Sequence, residues 1–110
     1  MESKRQSRVA RLLQKELSSY FLFHQKSFGA MITVTVVRVS PDLSLAKSYI
    51  SIFTNGSKDI VFDRIQQQLP AIRRTISENV RYQLRRLPEV TFFIDDSLDY
   101  VEHIEALLKK

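Results

Sequence analysis

Arginine is the residue type with the clearest chemical potential in this sequence, and it is concentrated between positions 73 and 86. Its planar guanidinium binds phosphate through two parallel hydrogen bonds and stacks on bases, so such a cluster favours a polyanionic partner. On a helix, Arg74, Arg81 and Arg85 would share one stripe about 40° wide. The alternative is a solvated face paired with Glu78 and the acidic C-terminal end.

A second basic stripe lies near the N-terminus, where Lys4, Arg8, Arg11 and Lys15 recur at helical spacing. It could be a solvated face or contact nucleic acid. A helix on a membrane surface is a third option, but its apolar face is needed to cover a sheet. The net charge of +5 fits a polyanionic partner. The candidate RNA-binding residues are Lys4, Arg5, Arg8, Arg11, Lys15, Arg73, Arg74, Arg81, Arg85 and Arg86.

Catalytic patterns are weak in comparison. His24 and His103 stand alone without the spacing of metal ligands, and the sequence has no cysteine. The carboxylates Asp95, Asp96 and Asp99 stand where a helix is predicted to begin, and capping accounts for acidic residues there. An acid-dependent hydrolase built on them is the alternative. We therefore expect no enzymatic activity, no metal and no cofactor.

Aromatic side chains could add stacking surfaces for bases. Tyr49, Phe53 and Tyr82 are the candidates. Since each also suits a core position, we expect at least two of the three to be buried.

A predicted β-hairpin at residues 31–53 would position these groups. Ile32, Val34 and Val36 alternate with the other residues of the first strand, which predicts one buried face. Pro41 and Asp42 predict the turn. A hairpin alone is marginal in water, so other elements must cover it.

Helical periodicity predicts that cover. Residues 5–24 read as an amphipathic helix, and Ser57 is a plausible N-cap of the next. Pro70 interrupts that second pattern, so we expect a kinked helix or two helices meeting near residues 68–71, continuing to about Leu87. A third strand follows at residues 90–94, and a final helix is predicted from about residue 95 to Leu108.

These elements predict an α+β fold of order α-β-β-α(kinked)-β-α, with helices on one face of a three-stranded sheet. A chain of 110 residues is expected to form a single domain, 1–110. We also expect a monomer. No apolar run is long enough to span a membrane, and the N-terminus has no apolar signal core, so a cytoplasmic location is expected.

Three segments resemble the ribosome-binding factor A family. Residues 36–51 resemble its hairpin signature, and residues 85–97, with Pro88-Glu89, a strand and Asp-Asp-Ser, resemble its second signature. Residues 5–17 fit the family's first helix. The signatures occur in the family's order and spacing, and the resemblance covers nearly the whole chain.

The resemblance implies a type-II KH-like fold in a bacterial-type ribosome assembly factor. It implies binding to the small (30S) ribosomal subunit and its ribosomal RNA during late maturation, without catalysis or cofactor. The alternative is a protein-interaction module that docks on a ribosomal protein through the acidic end or an exposed sheet edge. KH domains clamp RNA with a GxxG loop, which this family replaces by an Ala-x-Gly kink. The corresponding residues here are Gln68-Leu69-Pro70, which contain no glycine.

Overall fold

Helices and strands follow one another along residues 2–95, the part of the chain that this computed structural model describes. The order matches the prediction up to the third strand except for one unpredicted short helix, Gln25–Phe28. The predicted final helix lies outside the described residues. The elements are α1 (Lys4–Phe23), α2 (Gln25–Phe28), β1 (Met31–Val39), β2 (Leu45–Phe53), α3 (Lys58–Gln67), α4 (Leu69–Val80) and β3 (Glu89–Ile94).

A capping box starts α1. The Ser3 hydroxyl accepts a hydrogen bond from the Gln6 backbone N–H at 3.1 Å, and the Gln6 side chain accepts one from the Ser3 N–H at 2.8 Å. These bonds satisfy backbone donors that have no partner within the helix. Gln6 Nε2 also donates to the Val39 carbonyl at 2.9 Å, so the cap ties the start of α1 to the end of β1.

The three strands form one sheet in the order β1-β2-β3. The hairpin pairs β1 and β2 antiparallel, whereas β3 lies parallel to β2, with Leu45 opposite Glu89. Parallel neighbours need a long crossover, and residues 54–88, with α3 and α4, supply it. The predicted turn is confirmed, because Leu43 N–H donates to the Ser40 carbonyl and Ser40 N–H to the Leu45 carbonyl.

A β-bulge at Thr35 changes which residues of β1 face the core. The pairing shifts between Val34 and Val36, so Ile32 and Val34 are buried, but Val36 is 38% exposed and Val37 is buried. The predicted Ile32-Val34-Val36 face is therefore wrong at its last member. An extra residue in one strand reverses the alternation beyond it. The Thr35 hydroxyl bonds to the Tyr49 carbonyl at 3.1 Å and to Asp95 Oδ2 at 2.6 Å.

Pro70 marks the junction of two helices. Gln68 is at once the C-cap of α3 and the N-cap of α4. Proline fits here because an N–H in the first turn of a helix has no intrahelical partner to lose. Of the two predicted arrangements, a kinked helix and two separate helices, the structure has the second.

The helix after Pro70 ends earlier than predicted. It stops at Val80, and residues 81–83 form a turn in which the Val80 carbonyl accepts the N–H groups of Gln83 and Leu84. The apolar spacing of Val80, Leu84 and Leu87 mimics a helix, but both leucines pack on the core from irregular backbone. The chain has to turn here, because Glu89 must reach Ser44 to start β3.

One continuous hydrophobic core lies between the helices and one face of the sheet, as predicted. Leu13, Leu17 and Phe21 of α1 are almost fully buried, as are Ile72 and Ile76 of α4. The small residues Ala46 and Ser48 on the inner face of β2 are also buried. The opposite face of the sheet is uncovered by the described helices.

Candidate nucleic-acid interface

A groove of about 850 Å³ brings together the two basic segments that are more than 60 residues apart in sequence. The i, i+3 and i+4 spacing on α1 turns its cations toward the same side. Arg85 and Arg86 lie on the facing segment after α4. Within the described range, six cationic residues line the groove: Arg5, Arg8, Arg11, Lys15, Arg85 and Arg86.

Apolar groups and the hairpin turn complete the groove. Val9 and Leu12 of α1 line it together with Leu84 and Pro88. The turn contributes residues 41–44. The groove therefore places cations beside apolar groups, and exposed cations of this kind can bind the phosphates of a nucleic-acid backbone.

The cations of the groove have few acidic neighbours in the described part of the chain. Within residues 2–95, none of the six is hydrogen-bonded to a carboxylate or paired with one, and all are exposed. Asp42 is the one carboxylate among the described residues that line it. Concentrated positive charge without internal partners attracts polyanions strongly.

The remaining predicted cations lie elsewhere. Lys4 is exposed at the first residue of α1, outside the groove. Arg73 is half-buried and Arg74 exposed on α4, and among the described residues neither forms an ion pair or hydrogen bond with Glu78. Arg81 lies past the end of α4, its guanidinium carbon 4.8 Å from the centre of the Tyr82 ring. The single stripe of Arg74, Arg81 and Arg85 is therefore wrong, because the helix that would align them ends at Val80.

Sequence reasoning missed the hairpin turn as part of this surface. Asp42 Oδ1 accepts hydrogen bonds from the hydroxyls of Ser40 and Ser44, each at 2.7 Å, and from the Ser44 N–H at 3.1 Å. These bonds lower the pKa of Asp42 from 3.8 to about 2. Leu43 adopts a left-handed φ of 62° and packs against the core. The spacing Ser-Pro-Asp-x-Ser could have indicated a turn held by side-chain hydrogen bonds of Asp42.

We expect the Asp42→Asn variant to be less stable than the unsubstituted protein at neutral pH. We also expect its free energy of unfolding to fall less steeply as the pH is lowered. The pKa of Asp42 is lower in the folded chain than its usual 3.8. The stabilisation that the ionised Asp42 carboxylate contributes to the folded state is therefore present above pH 3.8 and disappears as the pH falls toward 2. Urea unfolding of both proteins at several pH values between 6 and 2 measures this. The difference in the free energy of unfolding between the two proteins should shrink below about pH 4. A difference that stays constant with pH would contradict a lowered pKa of Asp42.

The three aromatic candidates are not in the core. Tyr82 is 88% and Phe53 69% exposed, and Tyr49 is half-buried on the open face of the sheet. The expectation that at least two would be buried is wrong. Phe53 ends its strand and Tyr82 follows the early end of α4, so neither has a covering element among the described residues.

A smaller cavity of about 180 Å³ adjoins the α3–α4 junction, where the family's kink was expected. Gln67, Gln68 and Arg64 line it together with Tyr20 and His24. The Tyr20 and His24 rings lie 4.2 Å apart, and burial raises the pKa of Tyr20. His24 thus packs on an aromatic ring.

No group of three or more potential metal-binding side chains occurs within residues 2–95. Three of the acidic and histidine candidates lie outside the described residues, namely Asp96, Asp99 and His103. The remaining acidic candidate, Asp95, accepts a hydrogen bond from the Thr35 hydroxyl. In this same range, none of the helices has the length and apolar character needed to cross a membrane.

Two solved structures share this architecture. The crystal structure of ribosome-binding factor A from Thermus thermophilus superposes with a TM-score of 0.67 at 18% identity, covering 81% of this chain and 94% of that one. A model of the T. thermophilus factor fitted into the cryo-electron-microscopy map of a 30S complex superposes with a TM-score of 0.66 at 19% identity. The match covers 87% of this chain and 97% of that one. The predicted KH-like α+β fold is confirmed.

Curated relatives agree at higher identity. Ribosome-binding factor A of Cytophaga hutchinsonii is 42% identical, covering 100% of this chain and 84% of the relative. Ribosome-binding factor A of Christiangramia forsetii is 37% identical, covering 98% of this chain and 85% of the relative. The family model described as "Ribosome-binding factor A" matches residues 5–108. The chain therefore belongs to the ribosome-binding factor A family.

Proposed function

We propose that this protein is a ribosome assembly factor that binds the small (30S) ribosomal subunit and its ribosomal RNA during late maturation and rRNA processing. The observation that carries the proposal is the groove between α1 and residues 83–88, which collects six cations without internal partners among the described residues. Two comparisons also support the proposal. Relatives are named ribosome-binding factor A, and a model of the T. thermophilus factor is fitted in a 30S complex.

Binding in the groove would be electrostatic and shape-based. The guanidinium groups of Arg5, Arg8, Arg85 and Arg86 would grip phosphate oxygens, and the other groove cations would add charge. Contacts to phosphates fix the position of a protein on nucleic acid without reading its sequence. The groove therefore suits a folded RNA backbone recognised by its shape.

The proposal also covers the mode of action. The protein would act by binding alone, without catalysis or cofactor, as a monomeric single domain of residues 1–110 in the cytoplasm. Lys4, Arg73, Arg74 and Arg81 would make peripheral contacts at most. At the junction of α3 and α4, Pro70 would take the place of the family's Ala-x-Gly kink by separating two helices without glycine.

A salt titration of binding to purified small-subunit precursors tests the proposal. Each phosphate contact steepens the plot of log K against log salt concentration by about 0.7–0.9. Six contacts predict a slope of about −4 to −5. A slope near zero would contradict RNA binding by the groove and indicate docking on a ribosomal protein instead.

A further inference from the structure

The face of the sheet opposite the helices exposes large apolar side chains. Contiguous patches of this kind usually mark interaction sites. Residues of all three strands contribute, because alternate side chains point away from the core. The exposed members are Met31, Val36, Leu45, Phe53 and Phe93, with Tyr49 half-buried among them.

An aromatic pair forms the centre of this face. Val36, Tyr49 and Phe93 lie opposite one another in register across β1, β2 and β3. The Tyr49 and Phe93 rings stack with their centroids 5.4 Å apart and an interplanar angle of 27°. Phe93 is still 39% exposed, so the pair presents π-surface to the solvent.

Two cations occupy the neighbouring row. Arg38, Lys47 and Thr91 are in register two residues along the strands, about 7 Å from the aromatic row. Both cationic side chains are exposed on this face. Positive charge therefore lies in the row next to the rings on the same face of the sheet.

Carboxylates flank these two rows but lie in neither of them. Glu89 stands opposite Leu45, one row beyond the cations. Asp95 follows β3 on the far side of the aromatic row, and its carboxylate accepts the Thr35 hydroxyl at 2.6 Å. The cations are thus separated from Asp95 by the aromatic row itself.

We propose that this face, defined by Arg38, Lys47, Tyr49 and Phe93, binds unpaired RNA nucleotides. A base would stack on the Tyr49–Phe93 pair while Arg38 and Lys47 contact the adjoining phosphates. Aromatic residues on neighbouring strands of an open sheet are a general means of holding single-stranded RNA. The groove, in contrast, lies on the helical side and has no aromatic ring among the residues of the 2–95 range that line it.

Charge favours RNA over other occupants. A second copy packed with its cationic row against the first one would bring four cations together, which repel. An apolar protein partner would leave Arg38 and Lys47 without counter-charges. RNA satisfies the rings and the cations together.

A tryptophan reporter can test the site, because the chain contains no tryptophan. Phe93→Trp places one indole on the face, and Phe23→Trp, at a site 85% exposed near the end of α1, is the control. The probes are a single-stranded oligoadenylate of about six nucleotides, within the usual site size for such surfaces, and an RNA duplex of similar length. We expect the single strand to quench the Phe93→Trp protein saturably, with little quenching by the duplex or of the Phe23→Trp control.

Further substitutions in the Phe93→Trp protein define the contacts. Arg38→Gln with Lys47→Gln should weaken oligoadenylate binding roughly tenfold and make the salt slope shallower by about 1.4, at about 0.7 per phosphate. Tyr49→Leu keeps apolar cover but removes one ring, and should weaken binding at least about fivefold. Circular dichroism confirms that each variant is folded.

Four outcomes would overturn the proposal. Three are the absence of quenching, equal quenching of both reporter proteins, and an emission of the free Phe93→Trp protein already typical of a buried indole. The fourth is emission that changes with protein concentration in the absence of RNA, which would assign the face to a second copy. Quenching should persist when Arg5, Arg8, Arg85 and Arg86 are neutralised, so this site can succeed or fail independently of the groove.

Discussion

Neutralising four groove arginines should lower affinity for small-subunit precursors by about a hundredfold or more near physiological salt. The variant carries glutamine at Arg5, Arg8, Arg85 and Arg86, which line the groove from both sides. If each arginine holds one phosphate, the slope of log K against log salt becomes shallower by about 3. Filter binding or fluorescence anisotropy over a range of salt concentrations measures both quantities.

A matched control separates the groove from net charge. Glutamine at Lys26, Arg73, Arg74 and Arg81 also changes the formal net charge from +5 to +1, but none of these residues lines the groove. We expect this variant to lose much less affinity. Exposed substitutions usually alter stability by no more than about 0.5 kcal/mol each. Because Arg73 is half-buried, urea unfolding checks the stability of the variant. An equal loss in both variants would mean that overall charge drives binding.

Replacing Phe21 with alanine should destabilise the fold by about 3–5 kcal/mol. The side chain is 1% exposed, and its ring centroid lies 5.8 Å from that of Phe28 and 5.7 Å from that of Phe92. It therefore joins α1, α2 and β3 in one aromatic cluster, and its removal leaves a cavity. Small domains are stable by only about 5–15 kcal/mol, so a large share of the total is lost.

Phe23 provides the control for this experiment, because it is the same residue type two positions later but 85% exposed. Phe23→Ala should change stability by no more than about 0.5 kcal/mol. Urea unfolding, followed by far-ultraviolet circular dichroism, compares the two variants with the unsubstituted protein. Similar losses in both would place the core elsewhere than between α1 and the sheet.

Local patterns explain why most of the fold could be predicted. The apolar stripe of residues 5–24, the Ser57 cap and the Pro-Asp turn each act within a few residues of sequence. Pro70 likewise restricts its own backbone and that of the residue before it. The observed bounds of α1, α3 and β3 accordingly differ from the predicted ones by only a few residues.

The errors arose where distant contacts outweigh local preference. Val80, Leu84 and Leu87 have helical spacing, yet the chain leaves the helix at Val80 to place Glu89 beside Ser44. Thr35 has ordinary strand character, but its bonds to the Tyr49 carbonyl and Asp95 accompany a bulge. No short-range pattern in the sequence contains these requirements.

The sequence by itself determined the family, the element types and the residues able to bind phosphate, because these depend on side-chain chemistry and short-range periodicity. Only the tertiary structure decided which cations act together. It placed Arg85 and Arg86 opposite α1 and left Arg73, Arg74 and Arg81 outside the groove. It also put Tyr49 beside Phe93 on the open sheet face. The reason is physical, since pairing a parallel strand with β2 brings together residues far apart in the chain.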